Sequence, residues 1–97
     1  MDTSSDKIKQ QIVRVCQKYQ CKKIAIFGSY AKKLENKDSD VDILVEPPPK
    51  FGLIKFSSMR LELKKTLNKE VDLLTFNSIS PYMRDSILKS AFTLYEE

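Results

Sequence analysis

Ten residues separate the pair Gly28-Ser29 from Asp40, which is followed at alternate spacing by Asp42, in the run GSYAKKLENKDSDVDILVE. A third acid, Asp72, sits inside KEVDLLTF. Successive side chains of a strand face opposite ways, so Asp40 and Asp42 share one face while Val41 and Ile43 turn to the other. At ~3.3 Å rise per residue their β-carbons stand roughly 6–7 Å apart. Both carboxylates can then lean onto one cation at about 2.0–2.1 Å, the magnesium distance. Without a cation clustered carboxylates repel, and one or more pKa values should rise. The Gly-Ser turn supplies the opposite complement. Glycine lets backbone approach a phosphate, and a helix start after it offers unpaired N–H donors and the positive end of a dipole. Ser29 adds its hydroxyl. An anion holder facing a metal holder describes a magnesium-bridged nucleoside triphosphate. Asp72 can complete the metal site and is the nearest group to accept a proton from an attacking hydroxyl.

The elements needed to position these residues can be read from periodicity. Ile8, Ile12, Val15, Cys16 and Tyr19 predict an amphipathic helix over 6–19, capped by Asp6 or the serines before it. Residues 24–27 read as a strand broken by Gly28, and YAKKLEN suits a short helix with Ser29 as its N-cap. NKDSD is a polar turn, and VDILVE a strand stopped by Pro47-Pro48-Pro49. Phe56, Met59, Leu63 and Leu67 predict a helix within 51–67, with Asn68 as its stop. Residues 70–76 form a third strand. Ser80-Pro81 opens a last helix with Met83, Ile87 and Ala91 on its buried face. The order α-β-α-β-α-β-α describes an α/β (α+β) fold with a small mixed three- to four-stranded sheet packed by helices. Strands one and two are expected to be antiparallel. Strands two and three, joined through a helix, are expected to be parallel in a right-handed crossover. Asp42 and Asp72 then fall near one edge of the sheet.

Ninety-seven residues fit a single domain, 1–97, with one compact core. The chain contains no histidine, which excludes Ser-His-Asp and Cys-His catalysis, His-ligated zinc and imidazole bases. Cys16 and Cys21 are not spaced as a C-x-x-C pair and read as buried free thiols. No apolar run approaches the ~20 residues that span a membrane, and MDTSSDK is not a signal-peptide start, so a cytoplasmic protein is expected. Lysine pairs such as Lys22-Lys23, Lys32-Lys33 and Lys64-Lys65 have no interleaved aromatics, which argues against a nucleic-acid surface.

The pattern GS-x10-DxD (Gly28, Ser29, Asp40, Asp42) with a later strand acid, Asp72, resembles the minimal nucleotidyltransferases of the DNA polymerase beta superfamily. The resemblance extends from the first helix to SPYMRDSI. It implies a nucleotidyltransferase palm in which Gly28 and Ser29 bind the nucleotide and Asp40, Asp42 and Asp72 are catalytic and bind Mg2+. Chains this small resemble the antitoxin half of HEPN/MNT toxin–antitoxin pairs. That implies transfer of AMP from ATP to a tyrosine of a HEPN ribonuclease toxin. Size agrees on one point: a chain that spends its core on a palm has no second domain to hold an acceptor. Where many relatives carry Ala-Arg-Gly, this chain has Ala31-Lys32-Lys33, trading a bidentate fork for a point charge. The alternative is a non-catalytic antitoxin or scaffold that masks its partner. A homo-oligomer is compatible with either.

Overall fold

The first helix forms where its apolar stripe predicts: Ile12, Val15 and Cys16 are buried, with Ile8 and Tyr19 packed at their border. A computed structural model describes residues 3–28 and 40–97. Helix α1 spans Thr3–Lys18 and is followed by β1 (Lys23–Phe27), β2 (Val41–Glu46), α2 (Leu53–Leu67), β3 (Val71–Thr75), α3 (Pro81–Ser90) and β4 (Phe92–Glu96). A 3-10 turn, Phe76–Ser78, links β3 to α3. The helix and polar turn expected between β1 and β2, with Ser29 and Lys32-Lys33, lie outside the described residues. Because α1 starts at Thr3, Asp6 lies in its first turn and not at its cap. Its carboxylate there favours the positive end of the dipole.

The sheet order is β3-β2-β1-β4. β1 is antiparallel to both β2 and β4, and β2 runs parallel to β3 through α2. Both expected pairings are therefore present. The sheet is covered on two sides, which makes β2 a nearly continuous apolar run. Val41, Ile43 and Val45 join α1 and α2 in the larger cluster, around Met59 and Leu63. Leu44 faces the other way, into a smaller cluster with Ala25 and Ile79 that Ile87 of α3 and Ala91 just after it help to cover. The α1–α2 contact is tied at its rim by Glu62, which pairs with Lys18 and accepts a 3.0 Å hydrogen bond from the Tyr19 hydroxyl.

Two expectations need correction. Met83 is 57% exposed, because α3 docks on the smaller cluster through Ile87 near its C-terminal end, with Ala91 just beyond, and not along its whole length. The chain after α3 turns extended at Ala91 and adds β4 to the free edge of β1, a strand absent from the expected order. Ser80 does occupy the N-cap position with Pro81 in the first turn, but its side chain makes no capping hydrogen bond. Cys16 and Cys21 are both buried free thiols, as expected. A hydrogen bond to Cys21 and burial push the Cys16 thiol well up.

Helix α2 stops as its sequence predicts, with Asn68 at φ 55° in the left-handed region. Asparagine tolerates that conformation better than other residues with a β-carbon. Asn68→Ala is expected to lower stability by about 1 kcal/mol and Asn68→Gly to leave it nearly unchanged, as urea unfolding would show.

Candidate active site

The parallel register carries the site. Val41 pairs with Val71 and Asp42 with Asp72, while Phe27 pairs with Asp42 across the antiparallel side. Val41 and Val71 are buried in the larger cluster, so the strand pleat turns Asp42 and Asp72 together onto the opposite face. The Val41 amide donates a 3.0 Å hydrogen bond to the Glu70 carbonyl, which pins the starts of β2 and β3 to each other. Asp40 immediately precedes β2 and is exposed, as is Asp72, whereas Asp42 is half-buried.

Gly28 ends β1 at the same edge, with φ 72°. A β-carbon built there would overlap the Oδ2 of Asp42 and stand 3.3 Å from its Cγ. Glycine is therefore required twice, for the backbone conformation and for the space that the carboxylate occupies. Gly28, Asp40, Asp42 and Asp72 are thus brought to one end of the sheet. Ser29 lies outside the described residues.

Crowding shows in the electrostatics. Burial pushes the Asp42 carboxyl above its ordinary range, and the charges of Asp72 and Asp40 push it further. The expected rise in pKa is present, with desolvation as the larger cause. Among the described residues, no three acidic or thiol side chains are gathered closely enough to chelate one ion. The donor set nevertheless fits a hard divalent cation: three carboxylates, all oxygen, with a half-buried central member destabilised by its neighbours. A cation there would reverse the sign of that destabilisation.

Phe27 is the neighbour that the sequence reading passed over. It pairs with Asp42 across β1 and β2 and packs against the smaller apolar cluster, on the same face of the sheet as the carboxylate. Its position directly before Gly28 was the available signal. A groove of about 410 Å3 on α1 and β4, lined by Val13, Arg14 and Leu94 among others, holds none of the site residues.

The nucleotidyltransferase domain family matches residues 8–92. A Methanocaldococcus jannaschii protein with the provisional name protein adenylyltransferase MJ0435 is 42% identical over 86 residues, covering 89% of this chain and 92% of that protein. Protein adenylyltransferase MntA of Thermococcus cleftensis is 32% identical over 73 residues, covering 75% of this chain and 74% of its own. In solved structures, the fold is similar to a chain of the complex between a tri-AMPylated Shewanella oneidensis HEPN toxin and its MNT antitoxin, with TM-score 0.76 and 20% identity. That match covers 96% of this chain and 73% of the other. A sheet that aligns Gly28, Asp40, Asp42 and Asp72 at one edge, and a family match across nearly the whole chain, lead to one assignment: the chain belongs to the nucleotidyltransferase domain family, a family of enzymes.

Proposed function

We propose that this chain transfers AMP from ATP to a tyrosine hydroxyl of a HEPN-type partner protein and thereby acts as an antitoxin in the cytoplasm. The observation that carries the reading is the pairing of Asp42 with Asp72 on one face, with Gly28 packed against the Asp42 carboxylate. In this reading Asp40, Asp42 and Asp72 hold Mg2+, and Gly28 with Ser29 holds the phosphates. The metal supplies charge neutralisation and orientation at the phosphates. The acceptor oxygen bonds to the α-phosphorus, the bond from that phosphorus to the β-bridging oxygen breaks, and pyrophosphate leaves. Asp72, exposed at the edge of the pair, takes the hydroxyl proton. The names of two relatives as protein adenylyltransferases, and the AMPylated toxin in the similar complex, support a protein acceptor.

Labelling tests the reaction. ATP carrying the label at its α-phosphate should transfer it to the purified HEPN partner with one pyrophosphate released per label, and γ-labelled ATP should transfer none. Label from the γ-position contradicts nucleotidyl transfer. No transfer from either, with the partner still bound, supports a masking module without catalysis.

A further inference from the structure

Helix α2 is apolar on both sides. Met59, Leu63 and Leu67 are buried against the sheet, yet Leu53, Ile54 and Leu61 are 80%, 84% and 51% exposed. At 3.6 residues per turn, Leu53, Ile54, Ser57, Ser58 and Leu61 fall on one side of the helix, away from the buried one. These five residues line a groove of about 350 Å3, with the serines as a waist between bulkier ends. Three large apolar side chains left bare together on one side of a helix are the kind of patch that marks an interaction surface.

Charge selects the occupant. Lys64 and Lys65 continue the same side in the last turn, and no acid stands in the first turn. A second copy laid antiparallel would set these lysines beside the positive dipole end of its neighbour. A parallel copy would set them beside their own equals. An acidic partner avoids both conflicts. The location also suits catalysis. Lys64 pairs with Glu70 at 3.2 Å, so the end of α2 lies beside the start of β3, two residues before Asp72. A partner seated on the earlier turns of α2 leaves the carboxylate face, on the other side of the sheet, open.

Resting on the protein-acceptor reading above, we propose that this side of α2 docks an amphipathic helix of the protein that receives AMP. Its apolar ridge seats over Ser57 and Ser58, between Leu53 with Ile54 and Leu61, and its carboxylates meet Lys64 and Lys65. The test uses the HEPN protein of the same organism, titrated calorimetrically without nucleotide and then assayed for AMP transfer. The exposed pair Ile54→Lys with Leu61→Lys is expected to weaken binding by about 100-fold and to raise KM for the protein while KM for ATP is unchanged. Lys64→Glu with Lys65→Glu is expected to slow association about tenfold at low salt. Asp40→Asn with Asp42→Asn should bind as the wild type does and transfer nothing. Binding of the Ile54/Leu61 variant within about twofold of wild type overturns the docking site, as does no binding by the wild type. A wild-type dimer that this variant converts to monomer assigns the surface to a second copy and overturns it too. Since binding is read without nucleotide, wild type that binds but never transfers contradicts the catalytic reading and leaves the docking result to stand on the variant.

Discussion

Asp40→Asn together with Asp42→Asn is expected to abolish AMP transfer while leaving the fold intact and raising its melting temperature at neutral pH. Loss of one contributor to transition-state charge typically costs ~10²–10³-fold, and the pair removes two of the three proposed metal ligands, so activity should fall to background. The rise in stability follows from the crowding. Asp42 and Asp72 are directly paired like charges, an arrangement that costs roughly 0.2–1 kcal/mol. For a domain of this size that converts to roughly 1–8 °C in Tm. The pH dependence has a definite sign. The folded Asp42 carboxyl titrates above its ordinary value of 3.8 because of burial, Asp72 and Asp40. Between 3.8 and that raised value the folded protein binds more protons than the unfolded chain, so stability from this group falls as pH rises through the window. The Asp42→Asn single variant lacks that loss. Its Tm advantage over wild type should be full at pH 7 and shrink towards zero below 3.8, as calorimetry at both extremes would show. A variant less stable than wild type at pH 7 contradicts the crowding.

Gly28→Ala should be the most damaging single methyl group in the chain. A non-glycine residue in the left-handed region costs about 1–2 kcal/mol, and here the new β-carbon also enters the space of Asp42 Oδ2. Either the carboxylate swings away or the β1 terminus shifts. Displacement by ~1 Å at a reacting centre can cost 10²-fold, so kcat/KM for AMP transfer should drop by about that factor or more. Gly52→Ala is the control. Gly52 has φ −77° and nothing within 4 Å of a built β-carbon, so both stability and transfer should stay near wild type. Equal behaviour of the two alanine variants contradicts the close Gly28–Asp42 approach.

The carboxylate row was legible because its causes are local. KIAIF, VDILV and VDLLT are short apolar runs bounded by breakers, and alternation within VDILV assigns Asp42 and Val41 to opposite faces. A helix between two strands then sets the parallel pairing that brings Asp72 alongside. Long-range facts were not legible. FTLYE becomes a strand only because the outer edge of β1 is open to it, and nothing within those five residues reports that edge. Met83 matched the spacing of Ile87 and Ala91, but the cluster beneath α3 is too small to reach its first turns. Within the site, the pattern treated Asp40 and Asp42 alike, whereas folding half-buries Asp42 beside Phe27 and Gly28 and leaves Asp40 exposed.

The most direct test is a crystal structure with Mg2+ and an ATP analogue whose α–β bridge cannot be cleaved. The account predicts metal at about 2.0–2.1 Å from oxygens of both Asp40 and Asp42, Asp72 within reach of the α-phosphate, and the phosphates against Gly28. Nucleotide bound elsewhere, or metal bound without Asp42 while Asp72 points away, would contradict it.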